Sequence, residues 1–116
     1  MHNFEKLIFW QRSIVLAKNI YIICKEISND EKYGLISQIK RSAVSIPSNI
    51  AEGSGRNGNK EFNHFLSIAL GSAFELQTQL ILIKELNLLP KEKTITLLNE
   101  VSEIQRMIYS FKNNLK

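Results

Sequence analysis

The stretch QIKRSAVSIPSNIAEG, residues 38–53, carries the pattern that decides the fold. Successive residues of an α-helix are turned by about 100°, so residues three and four positions apart share a side. One side of this segment is apolar, and its members are Leu35, Ile39, Ala43, Ile46 and Ile50. This arc predicts an amphipathic helix over residues 31–53 that packs one side against a hydrophobic core.

A neighbouring side of the same helix forms a polar stripe, which consists of Gln38, Arg41, Ser45, Asn49, Glu52 and Arg56. Solvated helix faces are usually rich in long Lys and Glu side chains, whereas Ser and Asn favour helices less and suit fixed hydrogen bonds. Three interpretations of the polar stripe follow. It is a solvated face, a hydrogen-bond network between helices or subunits, or a surface that contacts a ligand directly.

Pro47 lies within this helix, where it removes one backbone hydrogen bond and predicts a kink. The bend serves packing alone, or it directs Asn49, Glu52 and Arg56 away from the axis of the packed helices. Small residues also predict that this helix and a later one approach each other closely. They are Ser42, Ala43, Ser45, Ser48 and Ala51 in this helix and Gly71, Ser72 and Ala73 in the later one.

Helical periodicity extends outward from this segment on both sides, with further helices predicted over residues 7–27, 60–86 and 91–113. Ser28 or Asp30 is expected to cap the second helix. Gly53 is expected to end that helix in a left-handed conformation, and Asn57 or Asn59 to cap the third. Four amphipathic helices with short connections predict an all-α fold, an up-down-up-down antiparallel four-helix bundle over residues 1–116 as one domain.

The apolar seams of the other helices differ in clarity. The third helix has the seam Phe62, Leu66, Ala69, Ala73, Leu76, Leu80 and Ile83, and the fourth has Leu97, Val101, Ile104, Ile108, Phe111 and Leu115. The first helix carries three apolar sets: Leu7, Trp10, Ile14, Ala17, Tyr21 and Cys24; then Leu16, Ile20, Ile23 and Ile27; then Ile8, Val15 and Ile22. A helix this apolar needs more than one partner surface, so part of it is expected to meet another subunit.

Composition bounds the class of protein. The chain has 116 residues, a formal net charge of +4 and a single cysteine, Cys24. One cysteine permits no internal disulfide, which fits a reducing compartment. No secretory signal is visible and the apolar runs are shorter than a membrane span, so the sequence predicts a cytoplasmic protein without membrane contact.

Catalytic chemistry is not suggested by any group of residues in the sequence. His2 and His64 are the only histidines, and neither lies in a pattern that would hold a metal. The loop at residues 53–59 lacks the phosphate-binding pattern of nucleotide hydrolases and follows a helix rather than a strand. We therefore expect no catalytic, cofactor or metal site and no enzymatic activity.

Residues 38–53 closely resemble the signature QIRRAAVSIPSNIAEG of the four-helix bundle proteins encoded in 23S rRNA intervening sequences. Leu7–Gln11 and Ile68–Leu76 are similar to two further motifs of that family, and Lys40 and Ser42 are conservative departures from its signature. The resemblance implies a left-handed bundle, often assembled as a pentameric ring. It also implies a relation to the accessory variability protein of diversity-generating retroelements, which is associated with nucleic acid and a reverse transcriptase.

Two functional hypotheses follow. The first is a homo-oligomeric adaptor that associates with nucleic acid, with RNA favoured over DNA. Its expected contacts are Lys40, Arg41, Arg56 and Lys60, without base-specific recognition because the aromatic residues belong mainly to apolar seams. The second is an oligomeric scaffold that binds a partner protein without nucleic acid, in which Gln38, Arg41, Asn49 and Glu52 hold the bundle or the ring together.

Overall fold

Four α-helices make up the protein in the computed structural model, which describes residues 2–115 except for the side chains of residues 31–33. The helices are α1 (Ile8–Cys24), α2 (Ser37–Ser54), α3 (Asn59–Glu85) and α4 (Lys91–Asn113). Short 3-10 turns at Phe4–Lys6 and Asn29–Glu31 and a π-helical turn at Lys32–Ile36 complete the helical structure. Between residues 2 and 115 there is no strand, so the all-α four-helix fold is confirmed.

Each helix lies beside the next in the opposite direction. Residues near the start of one helix contact residues near the end of its neighbour, as in the pairs Tyr21–Lys40, Arg41–Glu75, Asn63–Lys112 and Glu26–Lys93. α1 and α3 each contact both α2 and α4, so α1 and α3 occupy diagonal corners of the bundle. The left-handed turn of the bundle stays a prediction.

The core confirms the apolar seams of three helices. All seven predicted seam residues of α3 are buried, as are Ile39, Ala43, Ile46 and Ile50 of α2. In α4 the first four seam residues are buried, while Phe111 and Leu115 pack against the core from its edge. Burial of these side chains is the main source of stability, at about 1.5–3 kcal/mol for each large aliphatic residue before conformational entropy is counted.

α1 departs from the expected pattern. Its first apolar set was wrong in part, because Ile14 and Tyr21 are 43% and 46% exposed. Leu16, Ile20 and Ile23 of the second set face the core instead. Apolar residues occupy so many positions of α1 that their periodicity does not select one buried side.

The ends of the helices also differ from expectation. α2 begins at Ser37, after the 3-10 and π-helical turns. Ser28 Oγ accepts a hydrogen bond from the Asp30 amide at 3.3 Å and therefore does not cap α2. Gly53 is helical, and the left-handed residue of this connection is Gly58, with φ of 102°. Gly58 also occupies the N-cap position of α3, so neither predicted asparagine holds it. Glycine adopts positive φ without steric cost, which explains its place there.

α3 alone among the described helices is long and apolar enough to cross a membrane by length and composition, with a mean hydropathy of 1.4 over its most apolar window. The expectation that no segment has this property was therefore too strict. The seam of α3 is buried in the bundle, where α3 lies between α2 and α4, and a core helix has the same composition because one of its sides must be apolar.

Candidate functional site

The centre of the polar stripe joins α2 to α3. The hydroxyl oxygens of Ser45 and Ser72 are 2.8 Å apart, and Ser72 is buried. Asn49 Nδ2 donates to Ser45 Oγ at 2.9 Å and to the Ser45 carbonyl at 2.8 Å. Such direct contact requires the small residues that line both helices here, so the predicted close approach is confirmed. This part of the stripe is a hydrogen-bond network between helices of one chain.

Removal of the Ser45 hydroxyl is expected to destabilise the fold by about 1–2 kcal/mol, since Ser72 and Asn49 both lose a partner. Ser48→Ala on the exposed side of α2 is the matched control, with an expected change below about 0.5 kcal/mol. The free energy of unfolding in urea measures both. Equal values for Ser45→Ala and Ser48→Ala would show that the network adds no stability.

The two ends of the polar stripe are solvated and internally paired. Arg41 Nη2 donates to Gln38 Oε1 at 2.9 Å and to Glu75 Oε2 at 3.2 Å. Arg56 Nη2 donates to Glu52 Oε1 at 2.6 Å. About half of each of these ionic side chains is exposed, so each pair contributes at most about 1 kcal/mol. The stripe thus contains a network at its centre and a solvated face at its ends, and direct contact with a ligand stays a prediction.

The four basic residues expected to bind nucleic acid do not form one patch. Lys40 Nζ lies 4.8 Å from the centre of the Tyr21 ring, on the side of α2 that faces α1. Arg41 faces α3, through its contact with Glu75. Arg56 follows the end of α2, about 20 Å along the helix from Arg41 at 1.5 Å per residue. Only Arg56 and Lys60 lie together, since Arg56 belongs to the connection between α2 and α3 and Lys60 to the first turn of α3.

Aromatic side chains lie beside this second pair of basic residues. Arg56 Cζ is 4.8 Å from the centre of the Phe65 ring, and the rings of Phe65 and His64 meet edge to face with centres 5.6 Å apart. The open cleft next to them, here called the α3 cleft, has a volume of about 770 Å³. Its lining residues are Asn59, Lys60, Glu61, Asn63, His64, Phe65 and Leu115.

This arrangement was not predicted from the sequence, because the aromatic residues were assigned mainly to apolar seams. The sequence did contain a signal for an aromatic surface near positive charge. Phe65 lies outside the α3 seam, and its neighbour His64 follows Lys60 by one helical turn. Phe65 is half-buried and His64 is exposed, so both are accessible from the cleft. The cleft therefore combines positive charge with aromatic rings.

A second surface of note is apolar. Ile8, Val15 and Ile22, spaced seven residues apart on α1, are 61%, 54% and 50% exposed. We call them the α1 outer stripe. They line shallow grooves between α1 and α4, which are bridged by the ion pairs Arg12–Glu103 and Glu26–Lys93. This stripe agrees with the expectation that α1 needs a further partner surface.

Groups suited to catalysis are not assembled in the described part of the chain. No three His, Cys, Asp or Glu side chains there are placed to hold a metal ion. Burial raises the pKa of the Cys24 thiol, although the nearby charge of Lys40 lowers it in part. A buried cysteine with a raised pKa is a poor nucleophile and serves packing.

Comparison with known proteins agrees with the fold. The model of the family described as 23S rRNA-intervening sequence protein matches residues 5–110. A crystal structure of a protein of unknown function from the S23 ribosomal protein family of Bacteroides thetaiotaomicron is similar, with a TM-score of 0.86 and 27% identity, covering 92% of this chain and all of that one. No curated protein matches the sequence. Neither description names a reaction.

Proposed function

The chain belongs to the 23S rRNA-intervening sequence protein family, and on this basis we propose that it is a non-catalytic, homo-oligomeric adaptor that associates with RNA. The observation that carries the proposal is the grouping of Arg56, Lys60 and Phe65 at one end of the bundle. Cationic side chains attract the phosphate backbone, and an adjacent aromatic ring suits an exposed base.

Charge supports RNA association only when several chains act together. Each chain carries a net charge of +4, and Glu52 already pairs with Arg56. A single protomer therefore provides a weak contact. In an oligomer several such contacts bind one RNA at once, and their affinities reinforce one another.

The test is fluorescence anisotropy with a labelled structured RNA and a duplex DNA at two salt concentrations. Arg56→Ala with Lys60→Ala is expected to lower the affinity for RNA at least tenfold and to reduce its salt dependence. Lys40→Ala with Arg41→Ala removes the same charge elsewhere on the bundle and should change affinity less than threefold. Absence of RNA binding at low salt would refute the proposal.

Homo-oligomerisation is proposed through the apolar outer surfaces. The α1 outer stripe lies at one corner of the bundle, while Phe74, Leu82 and Leu86 are exposed on α3 at the diagonal corner. Different apolar surfaces on opposite sides favour a head-to-tail contact, which closes into a ring when the rotation permits. The resemblance to ring-forming bundle proteins makes a pentamer the expected assembly.

Val15→Glu with Ile22→Glu is expected to dissociate the oligomer, because two charges cannot be buried unpaired in an apolar contact. The mass in solution, measured by light scattering after gel filtration, should fall to that of one chain. Lys18→Glu with Lys25→Glu is the control. It changes the net charge more than the first variant does, at exposed positions of the same segment, and should leave the mass unchanged. A wild-type protein that is monomeric at micromolar concentration would refute this part of the proposal.

A scaffold for a partner protein is the second candidate function, and the α1 outer stripe favours it. An exposed apolar stripe of this kind marks a protein interaction surface. Gln38, Arg41, Asn49 and Glu52 would then be structural only, with Arg41 joining α2 to α3 through Glu75 and the other three pairing with Arg41, Ser45 and Arg56. A partner whose binding is insensitive to salt and lost in the Val15→Glu, Ile22→Glu variant, together with no RNA binding, would favour this function over the first.

A further inference from the structure

We infer that the α3 cleft binds unpaired nucleotides of single-stranded RNA by base stacking, an inference that rests on the proposed association with RNA. The sequence predicted contact without base-specific recognition, because the aromatic residues belong mainly to apolar seams. Phe65 and His64 lie outside the α3 seam, and stacking on them requires no base-specific recognition.

The first element of the site is a preoriented guanidinium beside the cleft, which contacts the lining residue Phe65. Glu52 Oε1 accepts from Arg56 Nη2 at 2.6 Å, which fixes one edge of the Arg56 side chain. The Phe65 ring supports the guanidinium from one side, with 4.8 Å between Cζ and the ring centre. Arg56 still exposes 43% of its side chain. Arginine planes and aromatic rings are the surfaces on which proteins stack unpaired RNA bases.

The second element is the polar lining of the cleft. Lys60 and His64 are four residues apart on α3 and share its exposed side, so both reach a strand that lies along the cleft. Asn63, which lines the cleft, accepts a hydrogen bond from Lys112 Nζ at 2.6 Å, so a second ammonium group lies behind this part of the lining. Glu61 also lines the cleft and repels phosphate, so the RNA backbone is expected to pass on the Lys60 side.

Paired nucleotides do not fit this chemistry. Bases within a duplex are already stacked on each other, and only their phosphates and groove edges are accessible to a protein. A duplex therefore offers no free base face that could stack on Arg56 or Phe65. Selectivity for single strands over duplexes of the same sequence is therefore the signature that separates stacking from simple charge attraction.

The experiment uses a ten-nucleotide RNA with one 2-aminopurine, as a single strand and as a duplex with its complement. We expect the single strand to bind the wild-type oligomer at least tenfold more tightly than the duplex and its 2-aminopurine fluorescence to change on binding. Phe65→Leu removes the ring and Arg56→Lys keeps the charge but removes the plane. Each should lower single-strand affinity at least fivefold and leave duplex affinity unchanged.

The matched controls are Tyr109→Leu and Arg41→Lys, which remove an exposed ring and a guanidinium plane elsewhere, and Phe65→Tyr, which keeps the ring and should keep the affinity. If Phe65→Leu does not fold, Arg56→Lys carries the test. Equal affinity for single strand and duplex, with RNA binding still lost in Arg56→Ala, Lys60→Ala, would overturn stacking and leave the proposed function intact. No binding of either RNA would overturn both.

Discussion

Phe62→Ala is expected to lower the free energy of unfolding by about 3–5 kcal/mol, the largest effect of any substitution considered. Phe62 is 1% exposed. Its ring centre lies 4.8 Å from that of His2 and 5.7 Å from that of Phe111, so it joins the N-terminal segment, α3 and the end of α4. Alanine would remove these contacts and leave a cavity where three parts of the chain meet.

Tyr109→Ala on α4 is the matched control, because Tyr109 is an aromatic residue that is 59% exposed. We expect it to cost less than about 1 kcal/mol in urea unfolding, measured with both variants at one protein concentration. Equal costs at the two positions would show that this end of the bundle is not packed as described.

Gly53→Ala is expected to destabilise the protein by about 1–3 kcal/mol, although alanine ordinarily favours a helix. A Cβ atom at Gly53 would lie 2.6 Å from Phe65 Cβ and 3.0 Å from Phe62 Cδ1. The Cβ of Phe65 is held by its backbone, so relief of the first contact requires α2 and α3 to move apart. That movement would also disturb the Ser45–Ser72 contact.

Gly71→Ala is the control for helix propensity. No atom lies within 4 Å of a Cβ at Gly71, which is exposed in the middle of α3. This substitution should stabilise the fold by up to about 1 kcal/mol. If both Gly53→Ala and Gly71→Ala were more stable than the wild type in urea unfolding, the close approach of α2 and α3 would be contradicted.

The seams of α2, α3 and α4 were predictable because each helix has one apolar side. Periodicity then determines which residues are buried, as for Leu76 and Ile104. α1 was less predictable for the opposite reason. Its apolar residues surround most of the helix, and only the positions of α2 and α4 decide that Ile20 is buried and Val15 exposed.

The glycine-rich connection shows a second limit. Gly53, Gly55 and Gly58 are all suited to end a helix, and sequence alone favoured the first. The structure places Gly53 inside α2 because its missing side chain admits Phe65, and it places the positive φ at Gly58. Close packing between two helices depends on the tertiary structure, so the turn preferences of single residues do not predict it.

The candidate site was predictable in part. The polar stripe was identified correctly as a set of residues on one side of α2, and its central serine was expected to suit a fixed hydrogen bond. Lys40 and Arg41 were expected to contact nucleic acid together, but they face different helices. Adjacent residues of a helix are turned by about 100° from each other. The link between Arg56 and Phe65 depends on how α3 returns along α2, so it required the structure.

Hydrogen–deuterium exchange of the protein, measured by mass spectrometry with and without a single-stranded RNA, tests the proposed RNA association most directly. We expect slower exchange in peptides covering residues 53–66 and unchanged exchange in the α1 outer stripe. Protection absent from residues 53–66, or confined to α1, would contradict RNA association through this end of the bundle.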